Sequence, residues 1–346
     1  MRKWCFSLFL MLVIMTGCVK ERVDLIIVNA KIYTVDSSFS IARSMAVKDG
    51  KIVWVGEDAR ESGFASDRIE DIHGGAIYPG FIDAHSHFSG YGEGLVRWCD
   101  LRNANSWEEI VKRVKLFSEG VKGEWVLGRG WDQNLWKSKD FPTKALLDEL
   151  FPTTPVALTR IDGHAMIANS EALKRAQIDE STVIDGGAVL KIDGKLSGVL
   201  LDNAMEAVYS VIPPLSKVEL ALACQTAENN CFTVGLTTVN DAGLDYRVIH
   251  EIDSLQQANQ LSIRIMAWLN PNEDNLVKIK APYTTDRLWV TAIKLYADGA
   301  LGSRGALLKK PYSDRPETSG LQLQPRAYYE KWGAIALDRG FQLNTH

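Results

Sequence analysis

The chain has 346 residues, 46% of them hydrophobic and 24% charged, with a formal net charge of -4, a composition that supplies ample apolar material for a globular core. No basic run or aromatic-basic stripe marks a nucleic-acid surface, and the 39 basic residues are balanced by 43 acidic ones. Five cysteines are too few and too irregular for a disulfide framework.

Taken in chain order, Arg2 and Lys3 form a positive start and Trp4 to Met15 an almost unbroken apolar segment. A spanning helix needs about 20 apolar residues, so this shorter segment has the shape of a secretory signal peptide. The tetrapeptide Met15-Thr16-Gly17-Cys18 resembles a bacterial lipobox with Met where leucine is more usual. Residues 1–18 are therefore expected to be a lipoprotein signal peptide, with Cys18 lipidated after cleavage; the alternative is an ordinary signal peptide cut nearby. Either way the mature chain is expected to work outside the cytoplasm; on the lipoprotein reading it sits in the bacterial cell envelope, facing the periplasm, with the membrane as a partner through the lipid anchor. Cys224 and Cys231 fall seven apart on a predicted helix, about 10 Å by helical rise, too far to bridge.

Residues 22–77 read as short strands forming a small β-sandwich domain. Asp49-Gly50 between two β-rich runs is a hairpin signal. About 55 residues make a small unit that should pack against something or be completed by later chain.

From residue 78 to 346 strands alternate with helices, which predicts a parallel α/β architecture. Strands are predicted at Ile77 to His87, Leu236 to Asp241, Ile263 to Leu269, Val290 to Tyr296 and Phe341 to His346, and helices at Lys217 to Phe232, Tyr246 to Asn259 and Ala327 to Arg339. This spacing suits the first five strands of a TIM-like (β/α)8 barrel, where catalytic groups gather at the C-terminal strand ends. The gap after the first strand is too long for a loop. It predicts an inserted subdomain at about 90–215, with helices at Ser106 to Glu119, Lys144 to Leu150 and Ser170 to Ala176, strands at Trp125 to Gly128 and Val156 to Ile161, and a position roofing the active-site face.

Chemistry concentrates in AIYPGFIDAHSHFS, Ala76 to Ser89. Residues two apart on a strand share a face, so His85 and His87 could hold one metal ion. A histidine pair also has a structural reading, and a zinc site needs further ligands from elsewhere. Two other strand ends offer them: Lys294 in AIKLYADGALGSR and His346 in LNTH. A lysine buried near imidazoles is pushed toward neutrality and could be carbamylated by carbon dioxide, becoming an anionic ligand able to bridge two metals.

At these motifs the chain resembles the amidohydrolase superfamily, in particular its long-insertion branch that includes N-substituted formamide deformylases. The resemblance runs from Asp24 to the end and rests on PGFIDAHSHF, RGWDQNLW at Arg129 to Trp136, DGHAMIANSEAL at Asp162 to Leu173, GVLLDNAME at Gly198 to Glu206 and KLYADGALGSRGA at Lys294 to Ala306. It implies a metal-dependent hydrolase barrel holding two divalent ions, with zinc expected from the nitrogen ligands and iron, manganese or cobalt as the alternatives. His85 and His87 would bind the first ion, a carbamate on Lys294 would bridge, and His346 would bind the second. It further implies that His164 contacts substrate or the tetrahedral intermediate and that Trp131 and Asp132 shape the substrate pocket.

The implied reaction is attack of a metal-bound hydroxide on a non-peptide carbon-nitrogen bond of a small-molecule amide. Cyclic amides, esters or lactones are the alternative substrates, and a non-catalytic lipid-anchored binding protein is the alternative class. The family pattern continues past the fifth strand with a sixth-strand histidine and an eighth-strand aspartate. The expectation is therefore that these 346 residues are a fragment, inactive alone, of a longer parent.

Overall fold

The computed structural model describes residues 20–120, 124–184, 187–299, 301, 306–314, 316–320 and 322–346. The expected signal peptide and its Cys18 lie outside these residues, as does part of the segment following Asp298. The chain divides into two units, one ending at Phe81 and one spanning Ile82–His346.

The first unit holds a four-stranded sheet in the order Lys51–Gly56, Ser44–Lys48, Leu25–Val28, Ile69–Asp71, and a three-stranded sheet of Ile41–Ala42, Lys31–Tyr33 and Ala76–Ile77. Asp49 and Gly50 take φ of 51° and 71°, the left-handed pair that a two-residue hairpin requires and that Asp-Gly adopts at low cost. Ile26 and Ala46 anchor one apolar cluster, Ile32 and Met45 another.

The second unit is mixed α/β. Its main sheet runs Phe81–Ser86, Leu236–Leu244, Arg264–Leu269, Leu288–Leu295 and Gln342–Thr345, so spatial order follows chain order. The last three pairings are parallel, and the short strand Tyr283–Thr284 adds an antiparallel edge contact. Among the described residues the sheet stays open rather than closing into a barrel. Helices Lys217–Thr233, Tyr246–Gln257 and Arg326–Arg339 cover it, burying Leu220, Ile249, Ile252 and Trp332 against Ile265, Val290 and Ile293. The first of these helices starts at a capping box: Ser216 Oγ accepts from the Glu219 amide and the Glu219 carboxylate accepts from the Ser216 amide. That reciprocal pair satisfies donors that helix starts otherwise leave open.

Two features depart from the sequence expectation. The predicted strand Ile77 to His87 is two pieces, because Pro79 has no N–H to donate: Ala76–Ile77 pairs with Lys31 and Ile32, and only Phe81–Ser86 joins the main sheet. The segment after it, Phe88–Arg97, is a helix that Gly90, Gly92 and Gly94 disguise through their low helix propensity. Gly92 has a packing reason. A Cβ there would overlap the Ala223 carbonyl, so the crossing with Lys217–Thr233 admits only glycine.

The insertion builds its own six-stranded sheet, in the order Trp98–Asp100, Val126–Trp131, Val156–Arg160, Ala165–Ala168, Lys195–Asp202, Gly187–Ile192. Helices Trp107–Gly120 and Ala145–Leu150 pack Ile110, Val114 and Leu147 on one side with Leu158, Ile167 and Val199. Ser170–Arg175 and Ala204–Tyr209 pack Leu173, Met205 and Val208 on the other with Leu127, Met166 and Leu200. Strands buried on both faces read as continuous apolar runs instead of alternating ones. That is why Ala165–Ala168 and Lys195–Asp202 have no period-two signature. Cys99, Cys224 and Cys231 are free thiols.

Candidate metal centre

His85 lies near the end of the first main-sheet strand, and His87 stands one residue beyond it, as the N-cap of Phe88–Arg97. The same-face argument thus covers His85 only. The rings nonetheless lie 5.9 Å apart, centre to centre. The neighbouring strand fixes the approach: Asn240 Nδ2 donates to the Ala84 carbonyl at 2.6 Å, and Ser86 Oγ donates to the Asn240 carbonyl at 2.6 Å. His87 Nδ1 is 2.9 Å from the Ala242 carbonyl. A carbonyl only accepts, so Nδ1 carries the hydrogen and Nε2 keeps its lone pair free, the tautomer in which a backbone-oriented imidazole ligates.

Lys294, on the strand Leu288–Leu295, is 2% exposed. Its Nζ is 3.3 Å from His85 Nε2 and lies 5.7 Å and 5.2 Å from the ring centres of Trp268 and Tyr296. The ring faces favour an ammonium, whereas burial favours the neutral amine. Burial prevails and lowers the Lys294 pKa. Among the described residues no carboxylate pairs with this amine. The His85 pKa is lowered as well, by burial first and then by the positive charges of Lys294, His87 and His346. Both shifts favour the uncharged form, the one that donates a lone pair.

His346 follows the strand Gln342–Thr345. Its amide donates to the Leu295 carbonyl at 2.9 Å, its carbonyl accepts from the Ala297 amide at 2.9 Å, and its ring meets Tyr296 edge-on at 5.9 Å.

Sequence reasoning missed Asp241. This residue of the strand Leu236–Leu244 is 1% exposed. Its Oδ2 accepts from the Ser89 amide at 2.9 Å, while Oδ1 is buried without a partner. Burial raises its pKa to about 6 against the pull of the Ser89 hydrogen bonds and His87. The available signal was an acid in an otherwise uncharged strand, TTVNDAG.

Among the described residues no three His, Cys, Asp or Glu side chains converge as a ready cage. The donor set becomes adequate when Lys294 is counted: uncharged nitrogen donors suit a borderline divalent ion, and a buried amine without a counter-charge suits conversion to an anionic ligand. These residues fit a metal.

The remaining expected residues fall elsewhere. His164 precedes the strand Ala165–Ala168; its Nδ1 pairs with Asp202 Oδ1 at 2.9 Å and its amide with Asp162 Oδ1 at 3.1 Å, and none of these contacts is with the histidine–lysine cluster. Trp131 is not a pocket wall. It is 0% exposed, donates from Nε1 to the Leu158 carbonyl at 2.7 Å and stacks on Trp136, because its strand is buried on that face by the helices of the insertion. Asp132 is a structural tie: it accepts from the Asn134 amide at 3.0 Å and pairs with Arg160 at 2.6 Å.

A sequence profile described as "Amidohydrolase family" matches residues 68–346. Putative amidohydrolase YtcJ of Bacillus subtilis is 32% identical over 330 residues, covering 91% of this chain and 61% of that protein. N-substituted formamide deformylase of Arthrobacter pascens is 31% identical over 230 residues, 63% of this chain and 42% of that protein. The crystal structure of an uncharacterized metal-dependent hydrolase from Pyrococcus horikoshii OT3 superposes with a TM-score of 0.78 at 27% identity, covering 93% of this chain and 64% of the other. The chain spans about three fifths of the length of YtcJ.

Proposed function

The chain belongs to the amidohydrolase family, and on that premise we propose that it acts as a metal-dependent hydrolase that cleaves a non-peptide carbon-nitrogen bond in a small-molecule amide. The open parallel sheet is read as five strands of a (β/α)8 barrel. His85, His87, His346 and Lys294 are assigned to hold two divalent ions, zinc by donor type. The observation that carries the reading is the buried Lys294 amine, 3.3 Å from His85 Nε2 and without an acidic partner among the described residues.

When bound, such ions supply Lewis acidity toward a carbonyl oxygen and a water acidified to hydroxide near neutral pH. The chain's own residues prepare for this. Burial lowers the Lys294 pKa and so favours the free amine, the form that adds to carbon dioxide: nitrogen bonds to carbon, one proton leaves, and an anionic carbamate results. The Ala242 carbonyl holds the proton on His87 Nδ1 and aims Nε2 outward. His164, braced by Asp202, is assigned to hydrogen-bond substrate or the tetrahedral intermediate.

The test uses the full gene product against linear N-formyl and N-acyl amides, cyclic amides, esters and lactones. Hydrolysis of linear amides that is lost on chelation and restored by zinc is the expected result. Turnover of esters alone would defeat the amide reading.

Among the described residues no helix is long and apolar enough to cross a membrane. The apolar leader and the Met15-Thr16-Gly17-Cys18 sequence support export and lipid anchoring at Cys18. Cells fed labelled palmitate should label the unaltered protein and not Cys18→Ser; equal labelling, or none in either, would remove the anchor.

A further inference from the structure

A cleft of about 610 Å³ opens between the helix Phe88–Arg97 and the sheet of the insertion. One of its lining residues, Gly90, lies on the helix that His87 caps, three positions further along. Its far wall carries Arg129, whose guanidinium Nη2 would be 3.6 Å from a Cβ at Gly163, the residue next to His164. The cleft therefore runs along the helix that His87 caps, and its Arg129 lies close to Gly163, the residue before His164.

Its walls combine two features. Tyr91, Leu95 and Ile161 present exposed apolar surface, with Trp98 beside them, which makes the cleft suited to an apolar body. Its charges are neutralised with a single exception. Glu93 pairs with Arg97 at 3.3 Å, and Arg102 forks onto Asp100 at 2.9 Å and 2.7 Å. The side chain of Arg129 makes no hydrogen bond or ion pair among the described residues, and its strand backbone needs nothing from it. An unpaired guanidinium on an apolar wall is a fork awaiting a planar anion.

We propose that this cleft is the substrate subsite and that Arg129 anchors a carboxylate, so that the substrates are amides with an apolar acyl part and an anionic end. Calling the ligand a substrate rests on the amidohydrolase reading. The anion subsite itself does not.

The test uses N-benzoylglycine and its uncharged twin N-benzoylglycinamide, which differ only in the carboxylate. Binding to metal-stripped full-length protein is followed through tryptophan fluorescence, and hydrolysis is measured on the zinc-loaded protein. An exposed charge-assisted fork is worth about a tenfold difference in affinity, the low end of the range for bonds to charged groups. N-benzoylglycine should bind about tenfold tighter than the amide. Arg129→Gln should erase that preference while leaving binding of the amide unchanged, and Arg129→Lys should restore part of it. The Arg129 side chain makes no hydrogen bond or ion pair among the described residues, so both variants are expected to keep the fold. Equal binding of the two probes to the unaltered protein, or equal weakening of both by Arg129→Gln, overturns the proposal. Preference without any amide hydrolysis would keep the anion subsite and remove the hydrolase; hydrolysis without preference would do the reverse.

Discussion

Protein from the full gene carrying Lys294→Ala is expected to retain at most one metal ion per chain and to lose at least about 100-fold in amide hydrolysis, since even an outer partner of a metal ligand is worth 10- to 100-fold. The readouts are elemental analysis of the purified protein and turnover at saturating zinc. Alanine also leaves a cavity at a position that is 2% exposed, and truncating a buried side chain of this size costs about 2–5 kcal/mol. Lys294→Met separates the two effects, for it fills the space without a nitrogen. Both variants should lose metal alike, and only alanine should lose much stability. The unaltered protein grown with labelled carbon dioxide should show a carbamate carbon signal that both variants lack. Metal content unchanged in Lys294→Met would take the carbamate bridge out of the mechanism.

The second large effect concerns Asp241. In metal-stripped protein its contribution to stability should fall as pH rises from about 4 to about 6. The sign follows from its pKa, raised from the usual 3.8 to about 6 by burial. Across that interval the folded state holds a proton that the unfolded state has released, so unfolding becomes easier as pH rises. At 1.36 kcal/mol per pKa unit the total is on the order of 3 kcal/mol. His85 tilts the other way, because its pKa is lowered in the folded state. The readout is therefore the difference between unaltered protein and Asp241→Asn, taken from urea midpoints at pH 4.5 and pH 7. Asparagine keeps an oxygen for the Ser89 amide and carries no charge at either pH. The variant should gain relative to the parent by a few kcal/mol at the higher pH; parallel pH profiles would mean that Asp241 does not titrate there.

Legibility in the sequence followed the range of the forces involved. The Asp49-Gly50 hairpin depends on a few adjacent residues, and such a signal survives without tertiary context. The helix Phe88–Arg97 was illegible because its three glycines oppose helix locally, while the reason for Gly92 sits 131 residues away at the Ala223 carbonyl. Trp131 reads as a pocket residue from its motif and is instead core, because which face of a strand is buried depends on the helices laid against it. Asp132, just past the strand Val126–Trp131, forms an ion pair with Arg160 at the end of the neighbouring strand, and no spacing announces which of the two would be free for a ligand.

The sequence by itself determined the alternation of strands and helices and the inserted segment, and it singled out the histidine pair, Lys294 and His346 as candidates for one donor set. These are matters of residue type and local periodicity, set by short-range sterics and by hydrophobic spacing. Tertiary structure alone decided that Lys294 meets His85 across 209 residues of chain, that Asp241 is buried with one oxygen unsatisfied, and that Arg129 faces a cleft without a counter-charge. Each of those depends on which segments close upon one another and which charges they leave dry or unpaired, quantities that exist only once the chain has packed.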